Sequence, residues 1–239
     1  METKESVLQR VFGYSAFRGG QEALIDAQLR GQDAFGIMPT GGGKSLCYQI
    51  PALLLEGVTL VISPLISLMR DQVMALKNAG VAVAYINSSL TPAQIRLVYR
   101  NIRSGMYKII YVAPERLLTD GFLEAIQTRK VSLVTVDEAH CISQWGQDFR
   151  PSYLKIVDFL NILTPRPVVS AFTATATEAV RQDIAQILQL RDPLRVVTGF
   201  DRPNLRFEVR RPKQKLPALI ELVQQRRDKA GIVYCATRK

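Results

Sequence analysis

The segment Ala34-Phe-Gly-Ile-Met-Pro-Thr-Gly-Gly-Gly-Lys-Ser45 joins a short apolar run to three glycines, a lysine and a serine, and a helical pattern follows over Ser45–Leu55. Consecutive glycines allow the backbone to curl so that several N–H groups converge on an anion. The next helix presents its positive end to the same anion. The segment therefore predicts a strand, a phosphate-binding loop and a helix in that order.

The same alternation of β-rich runs and helical patterns continues along the chain. The predicted strands are Ala34–Met38, Thr59–Ser63, Ala82–Ile86, Ile109–Ala113, Leu133–Asp137, Val168–Thr173 and Arg195–Thr198. The predicted helices are Gly20–Leu29, Ser45–Leu55, Ser67–Ala79, Pro92–Ile102, Phe122–Thr128, Tyr153–Leu160 and Glu178–Leu190. Alternating elements indicate βαβ units, so we expect an α/β fold with a mostly parallel sheet covered by helices on both faces.

A domain boundary is predicted near residues 199–205, where Gly199, Pro203 and Asn204 interrupt the pattern. Strand-like Leu205–Val209, a helical pattern at Leu216–Gln225 and strand-like Gly231–Cys235 follow. So short a tail cannot build a core of its own without added cross-links. We therefore expect one domain over residues 1–205 and the incomplete start of a second over residues 206–239.

The formal net charge of +10 suggests a polyanionic partner, but the charge is unevenly distributed. Residues 1–200 hold 20 Lys and Arg against 17 Asp and Glu, a net of +3. Residues 201–239 hold 11 against 4, a net of +7. Because a basic terminal segment is often only a solvated surface, charge alone leaves nucleic-acid binding open.

The three cysteines, Cys47, Cys141 and Cys235, lie far apart, and the chain has a single histidine. This spacing predicts neither a zinc site of the usual pattern nor a disulfide framework. The N-terminus lacks an apolar leader, and Pro51, Glu56, Gly57 and Pro64 interrupt the most apolar region. We expect a cytoplasmic protein without a membrane partner.

The second part of the predicted phosphate site is Leu133-Val-Thr-Val-Asp-Glu-Ala-His140, an apolar strand that ends in two acids. Ligands gather at the carboxyl ends of parallel strands, which predicts that Asp137 and Glu138 lie beside the phosphate loop. Asp137 would hold Mg²⁺ and Glu138 would activate the attacking water. Lys44 would reach the β- and γ-phosphates, and the Ser45 hydroxyl would ligate Mg²⁺. Together these features predict a nucleoside triphosphate site.

Each half of this site has a simpler reading. Glycine-rich turns are commonly structural, and a buried strand can end in solvated acids. Met38 also stands where the strict phosphate-loop pattern has its first glycine. The occurrence of both halves, in the right order on the right elements, favours the nucleotide site. Its predicted phosphate-binding residues are Thr40, Gly41, Gly42, Gly43, Lys44 and Ser45.

The phosphate loop and Asp137-Glu-Ala-His140 together resemble the helicases of superfamily 2, and other segments resemble the RecQ family in particular. Phe12-Gly-Tyr-Ser-Ala-Phe-Arg-Gly-Gly-Gln21 is similar to that family's adenine-recognition motif. The resemblance implies that Tyr14 and Arg18 sandwich adenine and that Gln21 hydrogen-bonds its edge, roles that suit an aromatic ring, a guanidinium and an amide. It also places His140 among the catalytic residues.

Four further segments carry the RecQ resemblance. Ser63–Gln72 and Tyr111–Arg116 are similar to segments that line the DNA path, although their polar groups would equally serve as caps and salt bridges. Phe172–Thr177 resembles the motif that couples hydrolysis to domain movement, or could be a plain helix start. Cys141–Pro151 resembles the aromatic-rich loop that senses single-stranded DNA, for which its stacking and cationic residues are suited. These are Trp145, Phe149 and Arg150.

The resemblance covers essentially the whole chain, with three departures. Gly19 replaces an expected proline, which should loosen the adenine loop, and Gln147 replaces an expected histidine in the aromatic loop. The remaining motifs of the second motor domain, including its arginine finger, are absent from these residues, as are the family's zinc-binding and winged-helix regions. The implied fold is a RecA-like domain followed by the truncated start of another.

The resemblance implies a 3′-to-5′ DNA helicase that acts in recombination and repair, with ATP and Mg²⁺ as cofactors and no zinc in this chain. Its implied partners are single-stranded and tailed duplex DNA, with no small-molecule substrate other than ATP and water, and with the bacterial nucleoid as its location. Unwinding by these residues alone is not expected. The alternative is a non-catalytic, nucleotide-gated DNA-binding module, and an RNA helicase is less favoured. The sequence leaves the oligomeric state open.

Overall fold

The computed structural model describes residues 2–146, 148–199 and 205–235 and divides the chain into two compact units, residues 1–200 and 201–239. The strands are β1 Ala34–Ile37, β2 Val58–Ile62, β3 Val83–Ile86, β4 Ile109–Val112, β5 Val131–Val136, β6 Val168–Thr173 and β7 Leu194–Val197. The helices are α1 Lys4–Phe12, α2 Gln21–Leu29, α3 Lys44–Leu54, α4 Ile66–Asn78, α5 Pro92–Arg103, α6 Asp120–Ile126, α7 Lys155–Ile162, α8 Glu178–Ile187 and α9 Lys215–Gln224.

The seven strands form one sheet in the order β3-β4-β2-β5-β6-β1-β7, and neighbouring strands run parallel. Side chains alternate between its two faces, as strand geometry requires. On β2, Leu60 and Ile62 join a core with helices α5 to α8, whereas Val61 joins a core with α3 and α4. The predicted parallel α/β sheet with helices on both faces is confirmed, and its near-continuous apolar strands reflect burial on both sides.

Gly36 allows β1 to pack closely against its neighbours. It is in register with Phe172 of β6, and a Cβ atom on Gly36 would lie 2.7 Å from that ring and 3.2 Å from Leu24 of α2. These separations are shorter than ordinary van der Waals contact, so a larger residue would push the helix or the ring away. The absent side chain therefore fixes the approach of α2 to the strand that leads into the phosphate loop.

Asp33 fixes the opposite end of β1. Its side chain is buried, and its two oxygens accept hydrogen bonds from both terminal nitrogens of Arg166 at 3.1 and 2.7 Å. They also accept the backbone N–H groups of Val169 and Arg191, each at 2.8 Å. A buried carboxylate is stable only with this degree of pairing. Asp33 thus joins the start of β1 to the segments that lead into β6 and β7.

The strand order decides where the candidate site lies. Only β6 separates β5 from β1. Because all strands run parallel, the segments after β1, β5 and β6 emerge at the same edge of the sheet. These segments contain the phosphate loop, the Asp137–His140 turn and the Phe172–Thr177 segment.

The structure differs from the sequence predictions in two places. Helix α1 was not predicted, although Thr3 and Ser6 form a capping box at its start. The predicted strands Leu205–Val209 and Gly231–Cys235 are wrong, since neither run forms a strand within the described residues 205–235. A strand requires a partner for its backbone N–H and C=O groups, and these exposed runs have none there.

The second unit contains α9, as predicted, but none of that helix is buried. Assignment of this unit as the start of another motor domain therefore stays a prediction. Residues 200–204 of the predicted boundary and Gln147 of the aromatic loop lie outside the described residues. Every helix in the described ranges falls short of the length and apolar character that a membrane crossing requires.

Candidate nucleotide-binding cavity and adjoining loop

A cavity of about 510 Å³ lies at the carboxyl edge of the sheet, within the size range of small-molecule sites. It brings together most of the residues predicted for adenine, phosphate and metal. Its lining includes Tyr14, Arg18, Gln21, Thr40, Gly41, Gly43, Lys44, Ser45, Asp137 and Glu138. His140, Trp145, Phe149 and Arg150 are not part of this lining, and the first two line a separate cavity of about 530 Å³.

The phosphate loop requires glycine for its shape. Gly41 and Gly43 have φ angles of +81° and +79°, in the left-handed region that other residues rarely adopt. A Cβ atom on Gly43 would collide with Nε2 of Gln21. That nitrogen donates to the carbonyl oxygens of Gly42 at 3.3 Å and Gly43 at 3.2 Å. The buried Gln21 amide therefore braces the loop from the side of the adenine motif.

Lys44 is the first residue of α3, directly after the glycines. Its side chain folds back over the loop, and its ammonium donates to the carbonyl oxygen of Met38 at 3.2 Å. The N–H groups at the start of α3 have no partners within the helix, as at every helix start. An ammonium, a hydroxyl from Ser45 and the backbone N–H groups of the helix start thus meet at one end of the cavity, an arrangement suited to phosphate oxygens.

The adenine motif forms the wall that adjoins the phosphate loop. The Tyr14 side chain is 50% exposed, and the Arg18 guanidinium donates to the Gly41 carbonyl at 3.0 Å. The backbone N–H of Arg18 donates to Oε1 of Gln21 at 2.8 Å. Both ends of the Gln21 amide therefore already contact protein, which sequence reasoning missed when it assigned this amide to the adenine edge. Space around Gly19 is open, since a Cβ atom there would meet nothing within 4 Å.

Asp137 and Glu138 follow β5 directly. Burial, reinforced by the neighbouring charge of Glu138, raises the pKa of the Asp137 carboxyl to about 6. Its Oδ1 accepts the N–H of Glu138 at 3.0 Å, and Tyr153 donates its hydroxyl to the Asp137 carbonyl at 2.9 Å. Glu138 has a φ of +48°, rare for a residue with a side chain. This sharp turn brings both acids to the cavity.

His140 links this turn to the next strand. Its Nδ1 lies 2.9 Å from Oγ1 of Thr173, at the end of β6, and 3.4 Å from Oε2 of Glu138. Thr173 belongs to the segment predicted to couple hydrolysis to movement. Sequence reasoning placed His140 in the site without identifying this partner or the buried Tyr153. The resemblance had singled out the Phe172–Thr177 segment but did not indicate that its Thr173 contacts His140.

The aromatic loop begins after His140. Trp145 is 78% exposed, and Phe149 is partly buried. The Arg150 guanidinium donates to Oδ2 of Asp148 at 2.8 and 3.1 Å and to the Pro64 carbonyl at 3.4 Å. Pro64 lies in the Ser63–Gln72 segment. The loop therefore contacts that segment through an arginine and presents an uncovered indole ring.

The DEAD/DEAH box helicase family matches residues 18–184, about 70% of the chain. These residues include strands β1 to β6, most of the cavity lining and the aromatic loop. The chain belongs to this family.

Within this class, the resemblance to RecQ helicases is confirmed. The chain is 50% identical over 236 residues to ATP-dependent DNA helicase RecQ of Bacillus subtilis (strain 168), covering 98% of this chain and 40% of that protein. It is 48% identical to ATP-dependent DNA helicase RecQ of Pasteurella multocida (strain Pm70), covering 99% of this chain and 37% of that protein. The chain thus spans about two fifths of the length of these relatives.

Solved structures support the fold. A hypothetical ATP-dependent RNA helicase from Sulfolobus tokodaii matches with a TM-score of 0.64 and 24% identity, covering 83% of this chain and 57% of that one. The Hef helicase domain of Pyrococcus furiosus matches with a TM-score of 0.59 and 20% identity, covering 82% of this chain and 40% of that one. These similarities identify the sheet and its helices as the RecA-like fold of helicase domains.

Proposed function

We propose that this chain is the ATP-binding portion of a RecQ-type DNA helicase, which couples ATP hydrolysis to 3′-to-5′ unwinding of DNA. The observation that carries the proposal is the meeting of three groups in one cavity. These are the glycine loop with Lys44, the acids Asp137 and Glu138, and the adenine motif around Tyr14 and Arg18. The identity of about one half to proteins named as DNA helicases supports DNA as the nucleic acid.

The residues of the cavity fit ATP and Mg²⁺. The loop N–H groups and the start of α3 would bind the phosphates, with Lys44 exchanging its contact with Met38 for a phosphate oxygen. Ser45 and Asp137 offer the hydroxyl and carboxylate oxygens that Mg²⁺ prefers. When bound, the metal would neutralise the charge that develops on the phosphates. Tyr14 and Arg18 would hold adenine between an aromatic ring and a guanidinium. Gln21 would reach the adenine edge by exchanging a contact with the Gly42 or Gly43 carbonyl.

Glu138 and His140 would act on the hydrolytic water and its surroundings. Glu138 lines the cavity and would orient and deprotonate water for attack on the γ-phosphate. His140 contacts both Glu138 and Thr173, so it would transmit a change at the γ-phosphate to the segment after β6. We therefore propose a chemical role for Glu138 and a positioning role for His140.

DNA binding is proposed for the aromatic loop. Trp145 provides an exposed surface for base stacking, and Phe149 lies near it in sequence. Arg150 would contribute a cationic contact to DNA. It would either exchange its ion pair with Asp148 for a DNA phosphate, or keep that pair and attract the DNA backbone as it passes. Single-stranded DNA and the single-stranded tail of a duplex fit this chemistry, because bases must be unstacked to reach an indole ring.

The test is ATP hydrolysis by the purified chain with and without single-stranded DNA, with Glu138→Gln as the blank. We expect the variant to bind ATP normally and to lose hydrolysis, because it retains the phosphate contacts but lacks the base. Hydrolysis equal to that of the wild type would remove Glu138 from this role. ATP-dependent DNA binding without hydrolysis in either protein would instead favour the nucleotide-gated binding module.

A further inference from the structure

Three metal-binding side chains meet beside the aromatic loop, outside the nucleotide cavity. One donor atom from each of His140, Cys141 and Asp148 lies within 4.8 Å of the other two. Nε2 of His140 is 3.8 Å from Sγ of Cys141, which is 3.7 Å from Oδ2 of Asp148. We propose that these side chains form a Zn²⁺ site that fixes the aromatic loop to the Asp137–His140 turn.

The spacing of these atoms is close to that of a bound zinc ion. Tetrahedral zinc with bonds of about 2.0–2.3 Å to nitrogen, oxygen and sulfur separates its ligands by roughly 3.3–3.6 Å. The two measured separations exceed this range by only a few tenths of an ångström. The third pair, His140 and Asp148, lies within 4.8 Å, so side-chain rotation would have to bring these two donor atoms closer. A thiolate and an imidazole together select Zn²⁺ over Mg²⁺, which prefers oxygen ligands.

His140 is already oriented as a metal-binding histidine requires. Its Nδ1 is engaged by Thr173 Oγ1 at 2.9 Å and faces the Glu138 carboxylate at 3.4 Å. Its Nε2 therefore remains for a ligand and faces Cys141. Histidines that bind metals commonly donate their second ring N–H to a carboxylate, a backbone carbonyl or water, which fixes the tautomer and the ring, and the Thr173 hydroxyl takes that place here.

The site is open to solvent on one side. The Asp148 side chain is 53% exposed, and it lines the 530 Å³ cavity together with His140 and Trp145, whereas Cys141 is buried behind them. An ion can therefore enter from this cavity, and a water molecule can complete the fourth position. The nucleotide metal proposed above uses Ser45 and Asp137 instead, so the two ions share no ligand.

The proposed ligands balance the charge of the zinc ion, and its binding would change the contacts of the aromatic loop. The Cys141 thiol releases its proton to solvent, and the resulting thiolate and the Asp148 carboxylate neutralise the two positive charges. Asp148 Oδ2, which now accepts both hydrogen bonds from Arg150, would turn to the metal. Arg150 is thereby released while the loop between residues 141 and 148 is closed by the ion. Of these statements, only the release of Arg150 for contact with DNA rests on the proposed function.

The test is titration of the 239-residue chain with Co²⁺ and then Zn²⁺, without ATP or DNA. The Cys235→Ser background removes the exposed thiol. We expect one Co²⁺ per chain with a thiolate-to-cobalt charge-transfer band, displacement by Zn²⁺, and a change in the fluorescence of Trp145, the single tryptophan. Millimolar Mg²⁺ should leave the band unchanged.

Three variants separate this site from incidental metal binding. Cys141→Ser should abolish the charge-transfer band, and Asp148→Asn should weaken Co²⁺ binding tenfold or more. Thr173→Val removes the hydroxyl that holds His140 and that also contacts the Thr175 backbone, and it should weaken binding about 10- to 100-fold. Because Asp148 is exposed, Asp148→Asn should fold and still tests the site even if Cys141→Ser does not fold.

Absence of the band in the Cys235→Ser chain, or equal Co²⁺ affinity in that chain and in its Asp148→Asn derivative, would overturn the proposal. Because neither ATP nor DNA is present, such a failure leaves the proposed helicase function untouched. Conversely, loss of ATP hydrolysis in the earlier test does not alter the expected metal titration.

Discussion

Lys44 is the residue on which nucleotide affinity should depend most. It begins α3 and holds its ammonium 3.2 Å from the Met38 carbonyl, above the glycine loop. Lys44→Ala should weaken ATP binding by about 1.5–3 kcal/mol, roughly ten- to a hundredfold, because a charge-assisted contact with phosphate is lost. Titration with a fluorescent ATP analogue measures the change.

Lys155 provides the matched control, since it also begins a helix but is exposed and does not line the cavity. Lys155→Ala should bind the analogue as the wild type does. If both variants bind equally well, the phosphate site has been assigned to the wrong loop.

Gln21 should influence which base is bound. An amide can pair with the N6 and N7 positions of adenine, whereas guanine presents an acceptor where adenine donates. In the structure the Gln21 amide braces the carbonyl groups of Gly42 and Gly43, so pairing with adenine would exchange one of these contacts. Gln21→Ala should therefore weaken ATP and GTP binding together and, in addition, narrow the preference for ATP. Equal affinity of the wild type for ATP and GTP would contradict the adenine assignment.

At the scale of elements, the Asp33 contacts make a prediction about stability. Asp33→Ala removes the carboxylate of a buried ion pair. The Arg166 guanidinium and two backbone N–H groups, those of Val169 and Arg191, then lose their acceptor. We expect a loss of about 3–5 kcal/mol in the free energy of unfolding. Urea denaturation followed by circular dichroism measures this loss.

The pair Glu56–Lys130 is the control, because both side chains are largely exposed and their separation of 2.8 Å resembles that of Asp33 and Arg166. Solvent screens such a pair, so Glu56→Gln should leave the urea midpoint unchanged. A comparable loss in both variants would show that burial is not what strengthens the Asp33 contacts.

The elements themselves were predictable where local pattern and burial agree. All seven predicted strands of the first unit occur, and its predicted helices occur with ends shifted by three residues at most. Leu205–Val209 has the same apolar alternation but lies exposed without a strand partner in the described residues. Apolar patterning predicts a strand only if another segment supplies its hydrogen bonds, and sequence pattern does not reveal that segment.

At the scale of the whole molecule, the uneven charge predicts how DNA affinity responds to salt. The triple variant Arg211→Gln, Lys213→Gln, Lys215→Gln neutralises exposed groups in the unit that carries a net of +7. Each phosphate contact contributes about 0.7 to the salt slope for single strands, so the slope should fall by up to about 2. Fluorescence anisotropy of a labelled single strand at several salt concentrations measures it.

Trp145→Ala is the complementary variant, because base stacking releases few counterions. It should weaken binding by about 1–3 kcal/mol, roughly 5- to 150-fold, at every salt concentration and leave the slope unchanged. A reduced slope in Trp145→Ala, or an unchanged slope in the triple variant, would contradict this division between stacking and charge.

The sequence by itself determined the parallel α/β fold, the phosphate loop and the acids that follow β5, because each is encoded in a few consecutive residues. Glycines, a lysine and a strand ending in Asp137 and Glu138 carry their chemistry locally. Only the tertiary structure decided which distant groups meet. The tertiary structure brings His140 into contact with Thr173, Gln21 into contact with the glycine loop, and Asp33 into contact with Arg166. It also folds Asp148 back onto His140 and Cys141, although their spacing in sequence had predicted no zinc site. Such contacts depend on how loops return to the edge of the sheet, and side-chain packing across many residues determines that path.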